Sequence, residues 1–213
     1  MIIVYTHKIT PRVRYIFKHI LVRTLLIPVT FTTKVDEFVA HNGPKLSYTR
    51  TPLGTEFFIK SNDLLFEQGV NDLDITLNKW DDVPCFFATN IKSAIPFDIF
   101  AASFYLISRY EEYLPHVKDV HGRYTAEQSL AYKKGFLEKP VVDIWAYKFL
   151  KILKENFPDY EYKVRTYNFI STIDIDNAFA YKHKSLVRNV GGFLNDLFHL
   201  KLINVWNRFA VSF

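Results

Sequence analysis

Apolar positions along this chain recur with two different periods, and the alternation between them predicts a mixed α/β protein. Ile2-Ile3-Val4-Tyr5 is a short continuous apolar run, the pattern of a buried strand. From Pro11 onward, Val13, Ile16, Phe17, Ile20 and Leu21 fall three and four apart. That spacing predicts a helix with one apolar stripe, and Pro11 suits its first turn. Val29-Thr-Phe-Thr-Thr33 is rich in strand formers. Residues 36–41 predict a short helix stopped by the turn signal Asn42-Gly43-Pro44. Residues 45–49 and 56–60 predict two strands joined through Pro52-Leu53-Gly54, and Leu64-Leu65-Phe66 predicts a third.

The helical period then takes over. Residues 72–89 show no clear period, and Asp81-Asp82 and Pro84 suggest a loop before Cys85-Phe-Phe-Ala88. After Pro96, the residues Phe100, Phe104, Ile107 and Leu114 form a stripe, with Asp98 in the first turn and Pro115 as the stop. A negative charge near a helix start is favoured by the macrodipole. A further helix follows Pro140, with Ile144, Trp145, Phe149, Ile152 and Leu153 as its apolar face and Pro158 at its end. Asp143 early and Lys148, Lys151 and Lys154 late suit its dipole. Residues 162–175 read as a strand. Residues 179–188 and 193–209 read as helices with a break at Gly191-Gly192.

Composition narrows the class. With 213 residues, 49% hydrophobic and 17% aromatic, the chain has ample material for a packed core and is unlike a disordered one. A net charge of +5 is too small an excess to argue for a nucleic-acid or an anionic-membrane partner. Cys85 is the only cysteine, so no internal disulfide forms, and the default compartment is cytoplasmic. The N-terminus places its apolar run before its basic residues, the reverse of a secretory signal. No apolar stretch is long enough for a membrane span.

The segment Asn168-Phe-Ile-Ser-Thr-Ile-Asp174-Ile-Asp176-Asn-Ala carries the clearest chemistry. Side chains two apart on an extended chain face the same side, so Asp174 and Asp176 can converge on a metal ion or a reacting water. One carboxylate bound to a divalent ion helps hold it, and an unbound neighbour can take a proton from the attacking water. The structural alternative is equally weighted: an Asp at a strand end often caps a helix or closes a turn. The same short pattern occurs in phosphatases with an Asp nucleophile and in metal-dependent glycosyltransferases, although Ala178 stands where the phosphatase pattern prefers Thr or Val. His116 and His121 flank a loop beside Arg123, five residues apart and without a recognisable ligand spacing. Glu111 and Glu112 read as a charged helix end paired with Arg109 or Arg123.

Four segments in order resemble a known group: Phe97-Asp-Ile-Phe-Ala-Ala-Ser-Phe-Tyr-Leu-Ile-Ser-Arg-Tyr-Glu-Glu-Tyr113; His121-Gly-Arg-Tyr124 with Ser129-Leu-Ala131; Gly135-Phe-Leu-Glu-Lys-Pro-Val-Val-Asp-Ile-Trp145; and Ser171-Thr-Ile-Asp-Ile-Asp-Asn-Ala-Phe-Ala-Tyr181. The chain resembles the N-terminal portion of a bacterial polysaccharide deacetylase (carbohydrate esterase family four superfamily) with an extra leading domain. The resemblance covers most of residues 90–213 and extends more loosely over residues 1–90. It implies an accessory α/β domain with a helical second half over residues 1–160. It also implies the first strand and helices of an incomplete (β/α) deacetylase barrel over residues 163–213. The implied reaction is hydrolysis of N-acetyl groups on a carbohydrate polymer or oligomer with a divalent metal, usually zinc. Asp174 is then the catalytic base and Asp176 a metal ligand. The family completes its site with two His four residues apart and a further His acid, whereas only His183 and His199 follow Asp176 here. The chain alone is therefore expected to be inactive and part of a longer deacetylase. The other reading is a non-catalytic α/β interaction module in which both aspartates are structural. An unfinished barrel would expose Phe193, Leu197, Leu200 and Trp206, which predicts self-association.

Overall fold

The computed structural model describes residues 1–89, 92–174 and 183–212. The chain divides into two compact units, Met1–Thr166 and Tyr167–Phe213.

The first unit is organised around a parallel sheet. Strand β1 (Ile2–Tyr5) leads into helix α1 (Pro11–Phe17), which Thr10 caps by accepting the Val13 N–H at 3.1 Å. The helix runs on as a π-helix over Lys18–Thr24, closed by Leu25 N–H donating to the Ile20 carbonyl five residues back at 3.0 Å. Strand β2 (Val29–Thr32), helix α2 (Val35–Ala40), strand β3 (Lys45–Thr49) and strand β4 (Phe57–Lys60) follow. All four strands are parallel in the order β2-β1-β3-β4. The return from β3 to β4 takes only the loop 50–56. Glu56 holds it together: its carboxylate accepts from Ser47 Oγ at 2.5 Å and from the N–H groups of Leu53 and Gly54 at 2.8 and 2.7 Å.

The two faces of the sheet are covered differently. Ile2 and Val4 point into the main core, where Phe17 of α1 stacks on Phe100 with ring centroids 3.5 Å apart and meets Tyr48 edge-on at 5.1 Å. On the opposite face Tyr5 meets Phe38 of α2 at 5.7 Å. An antiparallel hairpin, β5 (Leu77–Trp80) and β6 (Val83–Phe86), and helices α3 (Ile99–Ile107), α4 (Leu130–Lys133) and α5 (Val141–Asn156) complete the unit. Trp145 of α5 is fully buried and its Nε1–H donates to the Pro84 carbonyl at 3.0 Å, tying α5 to the hairpin. Burial of each such aromatic contributes about 2–3 kcal/mol.

Asp98 joins the sheet to this helical layer. It lies before α3 as its N-cap, accepting from Phe100 and Ala101 N–H, both at 3.0 Å. Its other oxygen accepts from Tyr48 Oη at 2.7 Å and from Asn62 N–H at 2.6 Å. Burial pushes its carboxyl up to about 6, against the four hydrogen bonds that favour the ionised form. The Tyr48 hydroxyl is pushed up by burial and by this carboxylate.

Several expectations change. Leu64 and Leu65 lie in a 3-10 turn, Asp63–Leu65, rather than a strand. Residues 72–89 contain the β5–β6 hairpin, with Pro84 tolerated in a two-stranded sheet whose strands both lie at an edge. Helix α3 ends at Ile107 rather than at Pro115, because Arg109 adopts a left-handed conformation (φ 52°) and a 3-10 turn, Tyr110–Tyr113, follows. The described part of the predicted strand 162–175 has no ladder partner and is irregular. A strand needs neighbours to satisfy its backbone, and no described strand pairs with this one. In the second unit, α6 (Leu186–Phe198) runs straight through Gly191-Gly192. The break before α7 (Leu202–Ser212) comes instead at Leu200, which has φ 54°. Among the described residues no barrel is closed.

Asp98→Asn should remove a pH dependence of stability. The folded carboxyl binds its proton more tightly than the usual 3.8, so its contribution is greatest below that value and is lost as pH rises to about 6. The total is roughly 3 kcal/mol. Urea midpoints measured from pH 4 to 7 should fall more steeply in the wild type than in the variant. Asp98→Ala, which strands four donors, should cost about 3 kcal/mol or more at every pH.

Candidate functional site

Asp174 and Asp176 are the residues the sequence singles out. Asp174 is exposed, in an irregular segment, and makes no hydrogen bond or ion pair among the described residues. Its neighbours Phe169, Ile170 and Ile173 are each about four-fifths exposed. Asp176 lies outside the described residues, as does the stretch 175–182 that follows Asp174. Among the described residues no group of three His, Cys, Asp or Glu side chains stands close enough to hold a metal ion.

The other candidates have structural partners. Asp119 accepts from the N–H groups of His121 and Arg123, both at 2.8 Å, and so folds the loop between the two histidines into a turn. His116 Nδ1 lies 2.8 Å from the Leu114 carbonyl, and its ring packs edge-on against Tyr124. Glu111 accepts from Leu130 N–H at 2.6 Å at the start of α4, and burial pushes its carboxyl up. Glu112 pairs with Arg109. Cys85 is buried and its thiol is pushed up to about 11 by that burial, so it is a poor nucleophile.

A parallel sheet offers a second place to look. In open sheets of this kind ligands gather at the carboxyl ends of the strands where the strand order reverses. Here the chain goes from β1 outward to β2 and returns past β1 to β3, so that point lies beyond Tyr5 and Thr49. No local pattern signals this point, because strand order is not written in any single segment. The position is filled by the chain itself. The turn Asp63–Leu65 and the residues after it are held there by Thr10 Oγ1, which donates to the Leu65 carbonyl at 2.5 Å, and by Arg12, which donates to the carbonyls of Leu64 and Gly69. The His7 ring packs on Phe66 at 4.1 Å, and Arg50 pairs with Asp63 at 2.8 Å. Segment 63–69 thus takes up Thr10, Arg12 and Arg50, three polar side chains at this edge.

Two surface cavities lie elsewhere. One, of about 340 Å³, sits at the start of β4 beside Glu56, Lys92, Ser93 and Asn156. The other, of about 210 Å³, lies between the end of the π-helix and α5, beside Tyr147, Lys154, Lys163 and Arg165. Neither contains a residue singled out for chemistry. In the first, the Glu56 carboxylate is already committed to its loop.

Neither a curated protein nor a solved structure matches this chain. One family model does, described as a family of unknown function (DUF7033), over residues 2–158. The match lies within the first unit, Met1–Thr166, and ends before the segment that carries Asp174. Since it covers well over half of the 213 residues, the chain belongs to the DUF7033 family.

Proposed function

We propose that this chain is part of a longer, metal-dependent deacetylase that hydrolyses N-acetyl groups on a carbohydrate polymer or oligomer. In this reading, residues 1–160 are an accessory domain and residues from 163 onward begin a (β/α) barrel. Asp174 is the base that takes a proton from a metal-bound water. Asp176 is one ligand of that metal, which is zinc by resemblance to the deacetylases. The observation that carries the reading is the ordered set of four segments ending in Ser171-Thr-Ile-Asp-Ile-Asp-Asn-Ala.

The state of residues 163–174 supports it. Val164, Tyr167, Phe169, Ile170 and Ile173 are all exposed, on a segment whose apolar density suits a strand covered on both faces. Such a strand would find its partners in barrel strands that are not among the described residues. The family's two histidine ligands and its histidine acid would come from outside the chain as well. One carboxylate holds zinc poorly, since catalytic zinc takes three protein ligands. A leading domain whose own ligand position is filled by segment 63–69 suits a supporting role beside a catalytic barrel.

A second reading, a non-catalytic α/β interaction module, draws on two observations. No metal-capable group stands among the described residues, and the sheet edge is closed.

The first measurement below is expected on both readings, and the second separates them. Zinc titrated into the 213-residue protein should give no saturable heat at micromolar concentration, and the protein should not deacetylate N-acetylglucosamine oligomers. A longer natural chain carrying a downstream His-x-x-x-His segment should do so with zinc, and Asp174→Asn in it should lower kcat by about a thousandfold or more with the circular dichroism spectrum retained. Unchanged turnover in that variant sinks the enzyme reading.

A further inference from the structure

The smaller cavity, of about 210 Å³, is assembled from three stretches of the first unit. Tyr147, Leu150 and Lys154 recur three and four apart, so one face of α5 forms one side. Thr24, Leu25 and Leu26, where the π-helix ends, form another. The chain that leaves α5 returns to supply the third with Lys163, Val164 and Arg165. That return is tied down. Tyr162 Oη donates to the Leu153 carbonyl at 2.8 Å, and Arg165 donates to the Arg23 carbonyl at 2.5 Å. Leu26 turns the chain out of the helix with a left-handed backbone (φ 57°), a conformation that non-glycine residues keep mainly where the surrounding structure enforces it.

The lining is one-sided in charge. Lys154, Lys163 and Arg165 bring three cations, and no carboxylate lines the cavity. None of the three pairs with an acid among the described residues. Lys154 rests on the Tyr162 ring at 5.6 Å, which fixes its place in the last turn of α5. Part of this charge answers the ends of the π-helix and α5, which both finish beside the cavity. A helix end carries about half a negative charge, so two ends offset about one cation and leave about two. Thr24 adds a polar group. It is only 7% exposed, and its hydroxyl makes no hydrogen bond among the described residues. A hydroxyl that deep ordinarily has a partner. The rest of the lining is apolar, from Leu25, Leu150 and Val164, with the half-exposed ring of Tyr147 beside them.

We infer that this cavity binds a small organic anion. Its carboxylate or phosphate group lies among Lys154, Lys163 and Arg165, and its apolar body lies against the leucines and Tyr147. Sites for small molecules have this makeup, an apolar wall with a few convergent polar groups. A guanidinium and two ammonium groups suit carboxylate and phosphate alike. A bare inorganic ion would leave Leu25 and Leu150 without a partner, and a cavity of about 210 Å³ holds one ring-sized unit rather than a stretch of polymer. Neither Asp174 nor Asp176 takes part, so the inference does not rest on the deacetylase reading.

The test is a titration of the isotopically labelled 213-residue protein at low salt, followed through its amide resonances. The probes are benzoate, phenyl phosphate, the neutral benzamide and inorganic phosphate. Benzoate or phenyl phosphate should move the amides of Leu25, Leu26 and Val164 saturably, with a Kd on the order of a millimolar. The tighter of the two tells a carboxylate site from a phosphate site. Benzamide and inorganic phosphate should each bind about tenfold more weakly, and added salt should weaken the organic anions. Lys154→Gln with Lys163→Gln should weaken them about tenfold or more with the circular dichroism spectrum retained, because both side chains are exposed and the Arg165 tie to Arg23 stays in place. Four results overturn the inference. They are no saturable movement with either organic anion, movement confined to amides away from the cavity, binding of benzamide or inorganic phosphate as tight as that of the organic anions, and unchanged affinity in the lysine variant.

Discussion

The first unit depends on a single buried carboxylate. Asp98 receives hydrogen bonds from β3, from the turn after β4 and from the first turn of α3. It therefore ties the carboxyl edge of the sheet to the helical layer that covers it. A carboxylate this buried is tolerable only because both oxygens are fully used. The cost of its burial exceeds the benefit of its four donors by roughly 3 kcal/mol, so its carboxyl is held up at about 6. What remains is geometric: only one relative placement of sheet, turn and helix satisfies all four donors at once. The aromatic stack of Phe17, Phe100 and Tyr48 fills the space beside that junction.

The same edge, where a parallel sheet of this strand order can take a ligand, is covered by the chain's own turn. Asn62 bonds to Asp98, and the residues after it run across the ends of β1 and β3, where Thr10, Arg12, His7 and Arg50 hold them. The polar groups that serve a substrate in other parallel sheets serve the chain's own turn here. Chemistry, on the reading proposed above, is left to the segment beyond residue 163.

How much was legible follows from which periods are local. Helices α1 and α5 were visible because their buried residues repeat at helical spacing, and β1 because it is a short continuous buried run. Val13, Ile16, Phe17, Ile20 and Leu21 are all fully buried. The same spacing cannot separate an α-turn from a π-turn, so the π-helix over Lys18–Thr24 went unseen. The β5–β6 hairpin was hidden by Asp81 and Pro84, which act as loop signals locally but are accommodated by a two-residue turn and an edge strand. Gly191-Gly192 read as a break, yet glycine at that point serves a side chain from another helix.

The amino-acid sequence by itself determined the α/β class, the apolar faces and the pair Asp174 and Asp176 as candidates for chemistry. Each of these is written in residue type and spacing over a few turns. Tertiary structure alone decided the strand order, the placement of segment 63–69 over the carboxyl edge of the sheet, the role of Asp98 as a four-way junction, and the inward turn of Asp196 onto Arg208. These depend on residues such as Tyr48 and Asp98, fifty positions apart, meeting in space. No local period records such a meeting.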